Sequence, residues 1–277
     1  MKQFRCPNGL RVWSVPRSGR EIGFIFREIF EDRCYERQGV TIRDGDVVLD
    51  VGANVGLFAL SLMERFDGLR IVCLEPASPI RACLERNIAE SQLQERHQVT
   101  ILADAVGSNS ADAVITYFPH LPGNSTLYPA EKRREWERML ADMSRVQAQR
   151  IHKGLALPPR WLVRLIVKPL LGTAVTQPCK VRTLSDIIAQ LGLAHVDLLK
   201  IDIEGAEMDA LRGIAEPDWS RIRQIAMEIS PGHKGSLDEL IDQLRARGFA
   251  KVTAESFTGD SVIEIHDPTP CMLYALR

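Results

Sequence analysis

The stretch "DVVLDVGANVGLFALSLMERF", residues 46–66, constrains the fold more tightly than any other part of the chain. Residues 47–51 form a near-continuous apolar run that breaks in a glycine turn, and a helix-patterned segment follows at once. A strand that is apolar on both faces belongs in a sheet covered on both sides. Gly52 and Gly56 let the backbone turn sharply and come close to a ligand. The unit then repeats. "RIVCLEP" (70–76) reads as a strand, "PIRACLERNIAESQ" (79–92) as a helix with Pro79 near its first turn, and "QVTILADAVG" (98–107) as another strand. Strand, helix, strand, helix, strand is the pattern of parallel βαβ units.

On either side of this block the pattern differs. Residues 1–20 predict a short hairpin turning at Asn8-Gly9. Residues 21–39 place Ile22, Ile25, Phe26, Ile29 and Phe30 on one stripe, an amphipathic helix ending near Gly39. Residues 1–45 are therefore expected to form an arm and helix that pack on a core domain, 46–277. The alternation is interrupted after 107 by a strand "AVITYF" (113–118) and a turn-rich loop, "PHLPGNSTLYP". Residues 129–178 read as an inserted helical lid, in which 131–168 hold ten Lys/Arg against four Asp/Glu. The alternation then resumes with a helix at 183–192 capped by Thr183, a strand "VDLLKID", a helix "AEMDALRGI", a strand "IRQIAMEIS" and a helix "SLDELIDQLRARG". Two closing strands, "AKVTAES" and "CMLYALR", predict an antiparallel pairing at that edge. The whole reads as α/β and Rossmann-like, a mostly parallel seven-stranded sheet with helices on both faces.

Ligands of such sheets bind at the carboxyl ends of the strands, where the strand order reverses. A dinucleotide site wants G-x-G-x-x-G, but Asn54 stands at the middle glycine, and no GK[ST] follows for a P-loop. Asp50 beside the turn would repel a phosphate and suit an ammonium group. Glu75 ends the second strand, where a carboxylate accepts hydrogen bonds from both hydroxyls of a ribose. Asp104 and Ala105 follow the third strand and can flank an adenine, the acid accepting from its exocyclic amine. A ribose, an adenine and a cationic, phosphate-free remainder describe S-adenosyl-L-methionine.

"VVLDVGANVGLF", "CLEP" and "LLKIDIEGAEMDAL", in that order and spacing, resemble the FkbM family of S-adenosylmethionine-dependent methyltransferases. The resemblance spans about residues 9–60, 70–107 and 180–230. It implies a class I methyltransferase fold, S-adenosyl-L-homocysteine as product, and O-methylation of small metabolites, sugars and polyketide or peptide natural products. "YFPHLPGNSTLYP" resembles members associated with polyketide and nonribosomal peptide assembly, which implies an acceptor tethered to an acyl or peptidyl carrier protein. Asp202, ending the fourth strand, is expected beside the methionine moiety, both as cofactor contact and as catalytic group. Glu204 is read as substrate contact or base, and Glu207 as a first-turn helix acid. Other candidate bases are His120, in the turn-rich loop, and Glu228, which ends the fifth strand, where burial would raise its pKa. Asn124, Ser125, Thr126 and His233 are the candidate substrate contacts. No metal is expected, although Asp202 and Glu228 could join a carboxylate site.

Composition removes several classes. A formal net charge of −1 and 6% aromatic residues give neither the basic footprint nor the stacking platform of a nucleic-acid binder. A base N-methyltransferase often carries [DN]PP[YF] after the fourth strand, and "DIEG" stands there instead. The retained Asp50, Glu75 and glycines argue against a non-catalytic adenosylmethionine-binding module, and Asn54 with Asp50 against a nicotinamide oxidoreductase. The six cysteines have no metal-like spacing and read as buried hydrophobes of a reducing compartment. With no leader pattern and no apolar run near 18 residues, a cytoplasmic protein off the membrane is expected. The basic balance of 131–168 suits an acidic carrier or its phosphopantetheine arm, and the alternative use of that segment is a homodimer contact.

Overall fold

The computed structural model describes residues 1–16, 18–138, 174–256 and 270–277. The hairpin forms as expected: β1 (Lys2–Arg5) and β2 (Arg11–Ser14) pair antiparallel about a turn in which Asn8 Oδ1 accepts from Leu10 N. α1 (Gly19–Phe26) buries Ile22 and Phe26. It does not run on to Gly39. Arg27–Glu31 widens into a π turn, where Asp32 N donates to Arg27 O, and Cys34–Glu36 form a short 3-10 turn after Arg33 in the left-handed region. A π turn shifts side chains off the 3.6-residue stripe, a distortion frequent at functional sites.

The repeated units follow: β3 (Val47–Val51), α2 (Leu57–Arg65), β4 (Arg70–Leu74), α3 (Ser78–Glu90) and β5 (Gln98–Leu102). Every residue of β3 is buried, as its unbroken apolar run requires. The strand expected over 98–107 is split. After residues 103–104 the chain leaves the main sheet as β6 (Ala105–Val106). A small side sheet then forms in the order β6-β8-β7, from β7 (Ala111–Tyr117) and β8 (Val175–Arg182). Residues 175–178, read from sequence as the end of the lid, are therefore strand. Its start is helical, α4 (129–138), and 139–173 lie outside the described residues.

The second half supplies α5 (Leu184–Gln190), β9 (Leu198–Ile201), α6 (Glu207–Arg212), α7 (Glu216–Trp219), β10 (Gln224–Ile229), α8 (Leu237–Ala246), β11 (Lys251–Ser256) and β12 (Cys271–Leu276). Thr183 caps α5 as predicted, its Oγ1 accepting from Asp186 N at 3.0 Å. Among the described residues the main sheet has seven strands in the order β11-β12-β10-β9-β3-β4-β5. β12 runs antiparallel to both neighbours, the edge pairing the sequence predicted. The other pairs are parallel. This is the seven-stranded order of a class I methyltransferase.

Two apolar layers clamp the sheet. One includes Phe26, Phe58, Leu62, Ile80 and Leu84, and the other Leu49, Ile187, Leu199, Ile225 and Phe249. Each fully buried Leu or Phe stabilises by about 1.5–3 kcal/mol, so the sheet is a rigid platform. β3 sits between β4 and β9, at the point where successive strands depart in opposite directions. The loops above that point are where a ligand site is expected. Five of the six cysteines are buried. Among the described residues no helix is long and apolar enough to cross a membrane.

Candidate active site

The glycine turn is as tight as its sequence implies. Gly52 has φ +81°, and a Cβ there would lie 1.8 Å from the Asp202 carbonyl oxygen. The turn after β3 therefore touches the turn after β9 backbone to backbone, which brings the two loops of the site together. Asn54 is also left-handed, and its Oδ1 accepts from Val55 N at 2.7 Å, closing the turn locally. Gly56 is the residue that admits α2, with φ +88° and Leu84 packed against it.

A cleft of about 610 Å³, open mouth included, lies over this turn. Gly52, Asn54, Glu75, Asp104, Ala105, Ser125, Thr126, Asp202 and Glu204 all line it. Glu75 is 6% exposed. Its Oε2 accepts from Asn54 N at 3.1 Å and its Oε1 from Ala77 N at 2.9 Å. Those two bonds fix the carboxyl and leave each oxygen a lone pair for a ribose hydroxyl. Burial outweighs them and lifts its pKa to about 7. Asp104 sits in the break between β5 and β6, with Arg182 Nη1 3.9 Å away.

Asp50 is not a cofactor contact in this geometry. It is 0% exposed and lies outside the cleft lining. In register across the sheet from it stands Lys200, whose Nζ is 3.0 Å from Asp50 Oδ1. Lys200 Nζ also donates to Gly52 O at 2.7 Å and approaches Asp202 Oδ2 at 3.8 Å. Burial disfavours the ammonium, but Asp50 and Asp202 outweigh it and raise the pKa, so Lys200 is charged. The sequence reading gave Asp50 an ammonium to bind. The structure supplies one from within, and the pair braces the glycine turn from below.

The wall around Asp202 and Glu204 is built by residues distant in sequence. Asp202 Oδ2 accepts from the Tyr35 hydroxyl at 2.8 Å. Glu204 Oε2 takes Lys132 Nζ of α4 at 2.5 Å, and its carbonyl accepts from Thr126 Oγ1 at 2.7 Å. Burial, opposed by Lys132 and reinforced by Asp202, puts the Glu204 carboxyl at about 7. Glu228 has its pKa raised well above the carboxylate range by burial, then by Asp202, Glu204, Glu207 and Glu28. The raised pKa was expected, and it favours the protonated form; Glu228 itself does not line the cleft.

Two carboxyls were missed by the sequence reading. Glu28, on the π turn, is lifted to about 8 by burial, Asp202, Asp32 and Glu204, and its Oε1 is enclosed without a hydrogen-bond partner. Glu21 is lifted to about 7 by burial, and its Oε1 accepts from Gly123 N at 2.7 Å, latching the 122–126 loop to α1. Tyr35 and Lys132 were missed as well. A trace of the two acids was visible: Glu21 and Glu28 are seven residues apart, two turns along one helical face.

The remaining candidates fall elsewhere. His120 is half-buried in the turn before Pro122 and does not line the cleft. Asn124 does not line it either, and its N–H closes the turn on Leu121 O. The Ser125 hydroxyl donates to Pro122 O at 2.7 Å, and Thr126 is buried as the clamp on Glu204. His233 is also outside the cleft lining, paired with Glu207 at 3.4 Å. Among the described residues no three His, Cys, Asp or Glu side chains are grouped to hold a metal ion.

Sequence comparison settles the family. The profile described as "Methyltransferase FkbM domain" matches residues 50–250. The chain belongs to the FkbM methyltransferase family. Among relatives of this methyltransferase, the "31-O-demethyl-FK506 methyltransferase FkbM" of Streptomyces tacrolimicus is 34% identical and covers 96% of both chains. "Methyltransferase sdnD" of Sordaria araneosa is 31% identical over 75% of this chain and 74% of its own. The "AMB antimetabolite synthetase AmbE" of Pseudomonas aeruginosa is 32% identical over 98% of this chain, which spans 12% of that protein. S-adenosylmethionine is the cofactor, and the cleft fits it. The carboxyl of Glu75 with its spare lone pairs, Asp104 and the tight approach at Gly52 are the residues that would hold it.

A ribose held by Glu75 would make that binding pH-dependent. Ribose hydroxyls donate to the carboxylate and favour its charged form. With a pKa near 7 in the empty cleft, affinity is full above that pH and falls as Glu75 protonates. S-adenosylhomocysteine should bind about tenfold more weakly at about pH 6 than at about pH 8, with proton release on binding at the lower pH. In Glu75→Gln the affinity should be lower and flat across that range. Calorimetric titration in buffers of different ionisation enthalpy checks both.

Proposed function

We propose that this methyltransferase moves the methyl group of S-adenosylmethionine to a hydroxyl of a small-molecule or carrier-bound natural-product intermediate of polyketide or peptide type. When bound, the cofactor supplies an electrophilic methyl on its sulfonium. The chain itself must orient the acceptor and take its proton. One observation carries the reading: Glu204, with its carboxyl near pKa 7 and held by Lys132, lines the cleft beside Asp202. A base near the working pH is what a neutral hydroxyl acceptor needs.

The relatives point the same way. The Streptomyces relative is named for an O-demethyl substrate, and the Pseudomonas relative is a synthetase that carries a similar segment within a much longer chain. The latter, with the basic balance of residues 131–168, supports an acceptor delivered on an acidic carrier. The test is transfer of an isotope-labelled methyl to a panel of hydroxyacyl carriers and free alcohols, with the product read by NMR. A label on an ether oxygen is the expected result, and a label found on nitrogen alone overturns the reading. Glu204→Gln should lower kcat about 10²-fold with S-adenosylhomocysteine affinity unchanged.

A further inference from the structure

The turn that carries Asp202 and Glu204 is held in an unfavourable backbone. Glu204 has φ +53° and Gly205 φ +104°, two successive left-handed residues. A non-glycine residue there costs about 1–2 kcal/mol and persists only where its surroundings hold it. Three contacts do so. Thr126 Oγ1 donates to the Glu204 carbonyl, Lys132 grips its carboxylate, and Gly205 N donates to Glu207 Oε1 at 2.8 Å.

The third contact leads away from the cleft. Glu207 is 1% exposed. Its Oε1 also accepts from Ser230 Oγ at 3.0 Å, so two donors serve one oxygen. Its Oε2 is enclosed and has no hydrogen bond; its counterpart is His233 Nδ1 at 3.4 Å, an ion pair without good hydrogen-bond alignment. A carboxylate this enclosed needs a cation. We infer that His233, acting through Glu207, is a positioning residue that holds the 202–205 turn in its reactive shape. This inference rests on the reading of Glu204 as the acceptor-side base.

The charge on His233 is set by its surroundings. Its pKa is raised by Glu207, against the opposing effect of burial, with Glu131 of α4 and Asp209 of α6 adding to the rise. Across a separate cavity lined by His233 stand Arg212, Glu239 and Arg247. Arg212 is engaged by Asp209 at 2.9 Å, and Arg247 faces Glu216 at 3.9 Å. The carboxylates therefore dominate around the imidazole. Because its pKa is raised, the ion pair is complete at low pH and is lost as pH rises through the raised value. Lys132 stays charged throughout, its pKa raised by Glu204 and Glu135 over the cost of burial. The Thr126 clamp does not titrate. Of the three contacts, only the one through Glu207 loosens as pH rises; the Lys132 contact instead tightens as the Glu204 carboxyl ionises near pH 7.

Amide hydrogen exchange tests this without an acceptor. With S-adenosylhomocysteine kept saturating at each pH, exchange of peptide 202–208 should be about tenfold slower in wild type than in His233→Asn at about pH 6, and the difference should shrink to less than about twofold at about pH 9. In His233→Asn exchange should stay high, changing only as far as the Lys132–Glu204 contact tightens, and His233→Lys, which keeps a cation, should restore protection. S-adenosylhomocysteine affinity within twofold of wild type shows that each variant is folded. A difference between wild type and His233→Asn that does not change with pH, or wild-type protection in His233→Asn, overturns the inference. A failure of O-methylation leaves these readouts untouched, so the two proposals fall separately.

Discussion

Lys200→Met should destabilise the protein by about 3–5 kcal/mol, because it strands a fully buried carboxylate. Asp50 is enclosed in the middle of the sheet with Lys200 as its ion-pair partner at 3.0 Å. Removing the ammonium leaves Asp50 either charged in an apolar layer or protonated at neutral pH, and both are costly. The same change deletes the donor to Gly52 O, so the cofactor turn loosens with the core. For a chain of this size the loss corresponds to a drop in Tm of about 10 °C. The double variant Asp50→Leu/Lys200→Met should recover more than half of that drop, since replacing a whole buried pair by apolar groups is often near neutral. Thermal unfolding of the three proteins decides it. A single variant as stable as wild type would mean that Asp50 finds another partner or that water reaches it.

Gly52→Ala should abolish measurable cofactor binding. The added methyl would meet the Asp202 carbonyl oxygen at 1.8 Å, a contact between two backbones in which no side chain can swing away. Relief requires the turns after β3 and β9 to part, and Asp202 and Glu204 ride on the second of them. A strain of roughly 4 kcal/mol or more is expected, and expressed in binding it is about a thousandfold in Kd. Gly45→Ala is the matched control. Gly45 has nearly the same φ, +82°, but nothing lies within 4 Å of its added Cβ. That variant should lose only about 1 kcal/mol for the left-handed backbone and bind S-adenosylhomocysteine as wild type does. Equal effects from the two substitutions would show that backbone conformation, and not the contact between the turns, governs the site.

How far the sequence could be read depends on how local each feature is. The cofactor half is encoded in strand ends and their turns: Gly52 and Glu75 line the cleft at the ends of strands that the alternating pattern predicts, whereas Asp104 and Ala105 line it where the strand expected over 98–107 breaks. Asp50 was misassigned because a pattern that fixes the strand does not fix its register. Only the pairing of Asp50 with Lys200 across β3 and β9 shows that the acid is already neutralised. The wall that carries Asp202 and Glu204 is assembled from distant segments. Tyr35 meets Asp202 across 167 residues, and Lys132 meets Glu204 across 72. No periodicity carries such information. The stripe that predicted one long helix over 21–39 failed at the π turn, the distortion that carries Glu28. His233, a candidate substrate contact by its chemistry, is paired by the fold with Glu207, a contact no sequence pattern announces.

The contacts around Tyr35 also set an order of assembly. The Tyr274 hydroxyl on β12 donates to Cys34 O at 2.5 Å, across 240 residues, and Glu255 on β11 accepts from Gln38 Nε2 at 2.6 Å. The segment holding Tyr35 is thus moored to the last two strands of the sheet. On a chain emerging from the ribosome, the glycine turn gains its brace only when Lys200 arrives with β9, and the wall around Tyr35 waits longer still, for β12 to pair. Nascent chains would acquire the capacity to hold the cofactor before they can present it to anything, so an incomplete chain has no finished chamber in which to spend a methyl group.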